Sequence, residues 1–437
     1  MADFKKQLAS IDRRLLIGGG AALGLTAGFF GLRPSKNGAE ATPYFNAMTG
    51  ALKREKLERP TLVIDRAALD RNIDLLKADL SPGMGYRIVA KSLPALGLVK
   101  RIMERAGTDK LMVFHQPFLN YVAANVPGAK VLLGKPMPVV AAARFYDHAA
   151  PGSFDPALQV EWLIDTPQRL AQYADLAKAL GVAMRLNIEI DVGLHRGGVR
   201  DKATLKTMLE AIDAAPGLSF SGFMGYDPHL ASIPGLLGWQ EGAIENSKAI
   251  YRGFVETARA HYGEAWNRDA MTLNTAGSPT YRFHRESKIA NEVAVGSALV
   301  KPTDFDIPTL EGHEPAAFIS TPVLKTSERT EIPGLEFLSG LTSAWDRNSA
   351  KTAFIYGGKW LAKPVAPEGL QLNSLFGRST NQEMLNHSDH ISLKPGDHVT
   401  FRPTQSEFVF LQFGDIAVYD PAEERIVESW PVFQQGA

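Results

Sequence analysis

At 437 residues, with 45% hydrophobic and 22% charged residues, the chain lies in the ordinary globular range and is long enough for a large core and two domains. Its 47 Lys and Arg residues balance 47 Asp and Glu residues, so no long-range field favours nucleic acid, and small-molecule chemistry is the expectation. The absence of cysteine excludes disulfides, thiolate zinc sites and cysteine nucleophiles, leaving His, Asp and Glu as the available metal ligands.

In chain order, residues 1–40 read as an export or anchoring segment. Lys5, Lys6, Arg13 and Arg14 precede an uncharged apolar run from Leu15 to Leu32. The pair Arg13-Arg14 against this Gly/Ala-rich stretch resembles a twin-arginine signal, which serves proteins exported already folded. That implies a periplasmic protein, or one anchored in the inner membrane and facing the periplasm. The run of eighteen residues is at the short end for a membrane span. Both a signal cleaved near Gly38-Ala39-Glu40-Ala41 and an uncleaved anchor satisfy the pattern, while Gly18 to Gly20 weaken a buried soluble helix.

Residues 41–59 read as a linker. From 60 to 300, short apolar runs alternate with helix-period segments, the signature of repeated βα units around a parallel sheet. Eight strands are expected: Tyr86 to Ala90, Lys110 to Phe114, Lys130 to Gly134, Gln159 to Ile164, Met184 to Ile190, Ser219 to Gly225, Met271 to Thr275 and Glu292 to Val300. Between them lie amphipathic stretches such as Pro94 to Ala106, with Leu96, Val99, Ile102 and Met103 on one face. Thr166 followed by Pro167 opens another helix. The fold class is therefore α/β, a (β/α)8 barrel of the TIM type. Residues 301–437 change to strand-like runs punctuated by Gly and Pro, a mostly-β domain with strands at Ala317 to Leu324, Lys351 to Tyr356, His398 to Arg402, Phe408 to Phe413 and Ile416 to Tyr419. Thr61 to Asp65 is an extra strand ahead of the barrel that would pair with this C-terminal sheet.

Reactive groups of such a barrel project from the C-terminal ends of its strands, and polar residues collect there. The first strand runs into Lys91-Ser92, placing an amine where desolvation favours nucleophilic attack on an aldehyde. A lone strand-end lysine usually only reaches solvent. The fifth strand ends in Glu189-Ile190-Asp191-Val192-Gly193-Leu194-His195-Arg196-Gly197-Gly198, carboxylates and an arginine bracketed by glycines. The sixth closes in Gly225-Tyr226-Asp227-Pro228-His229, whose histidine suits ring stacking or acid/base work. The seventh leads to Ala276-Gly277-Ser278-Pro279-Thr280 and the eighth contains Val295-Gly296-Ser297, a small, hydroxyl-rich cup suited to phosphate.

Taken in this order, the five motifs resemble the fold-type III pyridoxal-phosphate (PLP) enzymes, most of all the D-threonine aldolase and D-serine dehydratase group, with alanine racemase a more distant relative. The similarity spans about Arg59 to Asp420. It implies that Lys91 carries PLP as a Schiff base, Arg196 contacts its phenolic oxygen and His229 lies against its ring. Gly277, Ser278 and Thr280, with Gly296 and Ser297, would hold the phosphate, and Tyr226 would stand near the substrate. The resemblance also implies a homodimer.

One departure concerns the substrate end. The group carries a Pro-Asn-His-x-Cys or Pro-Asn-His-x-Asp segment that binds a divalent metal. The aligned stretch here is Pro403-Thr404-Gln405-Ser406-Glu407-Phe408. Glutamine is a poor zinc ligand, so the metal is in doubt and no metal ligand is assigned. The nearest counterpart of a second family motif, Ser379 to Glu383, has no histidine, and His387 and His390 are expected on the surface. Glu407 or Gln405 would instead serve as an acid or hydrogen-bond donor to the substrate. The leading expectation is a PLP-dependent lyase of a β-hydroxy-D-amino acid, acting by dehydration or retro-aldol cleavage. The alternatives are an amino-acid racemase or epimerase, a PLP-binding protein without turnover, and a barrel without PLP.

Overall fold

The computed structural model describes residues 34–148, 152–331, 334, 345–373 and 376–434. The basic and apolar N-terminal pattern ending at Leu32 lies outside them. Among the described residues no helix is long and apolar enough to cross a membrane.

The chain divides into two compact units. The first holds 61–319, 361–363 and the stretch from Arg402 onward. A short strand β1 (Thr61–Asp65) precedes eight parallel strands that close into a barrel. These are β2 (Gly85–Val89), β3 (Lys110–Val113), β4 (Lys130–Leu133), β5 (Val160–Ile164), β6 (Met184–Ile190), β7 (Leu218–Gly225), β8 (Thr272–Thr275) and β9 (Glu292–Val295). Closure is made by β9 pairing with β2, with Gly85 opposite Glu292 and Ile88 opposite Val295. Helices alternate with the strands as the periodicity requires. In Pro167–Leu180 the Thr166 hydroxyl accepts from the Arg169 amide, and left-handed Gly181 ends the helix. The helix predicted from Pro94 runs from Leu96 to Ala106 and buries Leu98, Val99 and Ile102.

The barrel interior is not wholly apolar. Arg87, 1% exposed, meets Glu292 at 2.5 Å, and Lys110 reaches the same carboxylate at 2.8 Å. Burial pushes the Glu292 carboxyl up, but the two cations outweigh it and hold it at about 2. A second buried carboxylate, Glu161, accepts from Thr272 at 2.8 Å and Ser221 at 3.1 Å. These bonds link β2 and β3 to β9 and link β5 to β7 and β8, so the strands are tied together inside the barrel.

Several expectations are corrected. The eighth strand stops at Val295 instead of Val300, because the amides of Gly296 and Ala298 turn to the Ser278 hydroxyl and leave the ladder. Phe408 to Phe413 is not a strand, since Glu407–Phe410 is a helical turn. Neighbouring Val409 and Phe410 are both buried, whereas a strand would send them to opposite faces. The strand Thr61–Asp65 pairs with the C-terminal stretch, which from Arg402 onward falls in this unit. Here β16 (Asp415–Asp420) pairs in parallel with β1, Leu62 opposite Ile416, and β17 (Arg425–Pro431) runs antiparallel to β16.

The second unit comprises 34–60, 320–360 and 364–401. Its sheet contains β10 (Ala317–Ser327), which carries the chain out of the first unit, β11 (Lys351–Tyr356), β13 (Gln371–Leu372) and β14 (Gln382–His387). The strand β11 is antiparallel to both β10 and β14, and β13 pairs with β14. Two further strands, β12 (Ala362–Ala366) and β15 (His398–Pro403), again pass between the units. The expected linker folds as a helix, Pro43–Arg54, burying Met48, Ala51 and Leu52 at helical spacing. His390 is exposed, as expected, but His387 is 2% exposed, with Nδ1 2.9 Å from the Ser388 carbonyl, because β14 turns it inward.

Candidate active site

A cavity of about 410 Å³ opens at the C-terminal ends of the barrel strands. Lys91 enters it from a single 3-10 turn, Ala90–Ser92, that follows β2. Its Nζ lies 2.9 Å from Glu407 Oε1 and 4.6 Å from the centre of the Phe114 ring. The Ser92 hydroxyl donates to the same carboxylate oxygen at 3.1 Å. Amine, hydroxyl and carboxyl group thus meet on one part of the wall, contributed by the end of β2 and the turn after β15. The Phe114 ring packs against Gly134, where a Cβ would fall 2.1 Å from its Cζ.

Beside this part of the wall, the ends of β8 and of β9, the neighbour of β2, form the small cup. Ser278 Oγ accepts from the amides of both Gly296 and Ala298 at 3.1 Å, so two N–H groups converge on one oxygen at the cavity wall. Converging backbone donors of this kind can take an anionic oxygen, and here the Ser278 hydroxyl meets them. The glycines serve close packing: a Cβ on Gly277 would lie 2.6 Å from the Tyr226 ring, and one on Gly296 2.9 Å from Val89. Ser297 lines the cavity, and its hydroxyl is 3.3 Å from that of Ser406.

The third part of the wall comes from β6 and β7. The Arg196 guanidinium lies 4.8 Å over the Tyr226 ring. Asp191 anchors the turn that presents it, accepting from the amides of Gly193 and His195 at 3.0 and 2.9 Å. Burial acts to raise the Asp191 carboxyl, but the bonds from His195 and Gly193 prevail and lower it. Glu189 also lines the cavity. Burial pushes its carboxyl up to about 7, against the pull of Arg196 and helped by Asp165 and Asp191. Burial likewise raises the Tyr226 phenol.

The structure therefore brings Lys91, Arg196, Tyr226, Gly277, Ser278, Gly296, Ser297 and Glu407 onto one cavity. It leaves three expected residues off the wall. Gln405 is exposed. His229 packs behind the Gly193 turn, where a Cβ on Gly193 would be 3.3 Å from its Nε2. Thr280 is fully buried, and its hydroxyl donates to Asp227 at 2.7 Å instead of facing the cavity. Phe114, Ser92 and Asp165 line the cavity without having been singled out as site residues; Ser92 and Asp165 lie beyond expected strands, the signal that found Lys91, while Phe114 falls outside β3 only because that strand stops at Val113. Among the described residues no cluster of three or more His, Asp or Glu side chains is arranged as metal ligands. The chemistry of the wall fits PLP: an amine for the aldehyde, an arginine, and converging amides for a phosphate.

The profile of the family described as alanine racemase, N-terminal domain, matches residues 64–304. The chain belongs to this family. The 3-hydroxy-D-aspartate aldolase of Paracoccus denitrificans is 27% identical to it over 292 residues, 62% of this chain and 70% of that protein. Among solved structures, a D-threonine aldolase from Filomicrobium marinum superposes with a TM-score of 0.68 at 17% identity, covering 86% of this chain and 95% of that one. D-threo-3-hydroxyaspartate dehydratase from Delftia sp. HT23 gives 0.65 at 16% identity, over 86% and 98% of the two chains. An alanine racemase of Clostridium difficile 630 gives 0.62 at 13%, over 85% and 98%. These structural likenesses establish the alanine racemase-like fold, a barrel with a separate mostly-β unit.

Proposed function

We propose that the chain is a PLP-dependent lyase that dehydrates or cleaves a β-hydroxy-D-amino acid, with Lys91 as the residue that holds the cofactor. The observation that carries this reading is the contact of Lys91 Nζ with Glu407 Oε1 at 2.9 Å. It supports the reading because a carboxyl group able to transfer a proton lies beside the amine that would hold the cofactor. A lyase needs such a group at the substrate β-hydroxyl, whereas a racemase needs acid/base groups on two opposite faces.

When bound, PLP withdraws electrons from the bond that breaks at the substrate Cα. Gly296, Ser297 and Ser278 would hold its phosphate, and Arg196 its phenolic oxygen. Tyr226 closes the wall beside Arg196, and Phe114 supports the Lys91 chain and excludes water from beneath it. Glu407 handles the β-hydroxyl. Carrying a proton, its carboxyl donates to the hydroxyl that leaves as water. Ionised, it takes the hydroxyl proton as the Cα–Cβ bond opens and an aldehyde departs. Ser92, donating to Glu407 at 3.1 Å, orients the carboxyl in both cases.

Incubation of the protein with PLP and D-serine, D-threonine or D-3-hydroxyaspartate, with and without chelator, tests this reading. Formation of a keto acid, or of an aldehyde with glycine, is expected from at least one of them. Inversion at Cα as the sole reaction would replace it by a racemase, and no turnover with PLP bound by a PLP-binding protein.

A further inference from the structure

The loop that forms the cup is gripped from behind by a buried acidic residue. Asp227 follows Tyr226 at the end of β7, is wholly buried and does not line the cavity. Its Oδ2 meets His284 Nε2 at 2.6 Å, the imidazole N–H donating. Its Oδ1 accepts from the Thr280 hydroxyl at 2.7 Å, and the Thr280 oxygen accepts in turn from the Gly277 amide at 3.2 Å. His284 and Thr280 are themselves buried, at 4% and 0% exposure. Both Asp227 oxygens and the Thr280 hydroxyl thus have partners inside the protein, where an unmet polar group is costly. On the other side of the same loop the Tyr226 ring rests against Gly277. Adjacent residues therefore hold one loop from its two sides: Tyr226 by packing on Gly277 and Asp227 by bonds to Thr280 and His284.

We propose that Asp227 is a positioning residue for the cofactor, fixing the Gly277–Thr280 loop through Thr280 and His284 so that the phosphate cup exists before PLP arrives. The inference rests on the PLP reading above. Asp227 touches no ligand in this scheme. It removes the ordering that the loop would otherwise undergo on binding, and so acts on cofactor affinity. Thr280, expected to present its hydroxyl to the phosphate, acts from behind the loop.

The test is titration of PLP into the cofactor-free protein, followed by absorbance, alongside thermal unfolding of the same samples. Thr280→Val, nearly the same shape without the hydroxyl, is expected to weaken PLP affinity on the order of tenfold or more, the loss of one buried bond. Thr280→Ser, which keeps the hydroxyl, is expected to bind within about twofold of the natural protein on the same reasoning. Asp227→Asn is expected to lose at least as much affinity as Thr280→Val. If Asp227→Asn does not fold, the Val and Ser pair decides alone. Equal affinity of Thr280→Val and the natural protein, or equal losses in Thr280→Val and Thr280→Ser, would overturn the proposal and leave the functional reading standing. A natural protein that takes up no PLP would overturn both.

Discussion

On the wall made by the ends of β8 and β9, the polar groups are buried and bonded. Ser278 is 7% and Ser297 5% exposed, with the Ser278 oxygen shared by two backbone amides and the loop behind it tied to Asp227. On the turn after β15, the Glu407 side chain is 42% exposed and Gln405 stands outside the cavity. The first region is set by hydrogen bonds that water cannot replace. The second is held by one ion pair and one hydroxyl bond at a solvated edge, where such contacts are weak. A site built in this way keeps its cofactor geometry constant while its substrate edge can vary in sequence without disturbing the barrel.

The largest effect that would test the contrast is at Lys91, which joins the two regions. Lys91→Ala is expected to abolish the absorbance band of the bound cofactor and reduce turnover by roughly a thousandfold or more. Retention of the band would move the cofactor to another residue. Next, Glu407→Gln is expected to lower kcat by about a hundredfold, the scale of a lost general acid or base, with PLP affinity within about twofold of the natural protein. A fall in PLP affinity without a fall in kcat would erase the distinction between the two regions.

A smaller effect concerns stability. Glu189 has its carboxyl raised from the ordinary range to about 7 by burial, so the folded protein prefers it protonated. Its contribution to stability is fully present below the unfolded value near 4.5 and is lost as pH rises through about 7. Glu189→Gln, neutral at every pH, is therefore expected to raise Tm by a few degrees at pH 8 and to leave it nearly unchanged at pH 4, as followed by calorimetry. The smallest effect is expected at Gln405. Gln405→Ala, at an exposed position off the wall, should change stability by no more than about 0.5 kcal/mol and kcat by less than about twofold.

Much of the site was legible before the structure because barrels place reactive groups by a local rule, in the loop that follows each strand. Lys91, Arg196, Tyr226, Ser278 and Ser297 all follow it. The rule says which residues arrive at the mouth but not which way each side chain turns. Thr280, in the same loop as Ser278, bonds backwards to Asp227, and His229 packs behind the Gly193 turn. Phe114 and Asp165 obey the rule too, but neither residue type announces a cofactor in the absence of its neighbours.

The sequence by itself determined the (β/α)8 barrel and the place of Lys91, since strand and helix periods and the end of a strand are properties of a few consecutive residues. Tertiary structure alone decided which C-terminal strand β1 pairs with and in which register, β16 in parallel with Leu62 opposite Ile416, because that partner lies far along the chain. It also decided that Glu407 reaches Lys91 while Gln405, two residues earlier, does not. The helical turn Glu407–Phe410, which buries Val409 and Phe410, begins at Glu407 and leaves Gln405 in the chain before it.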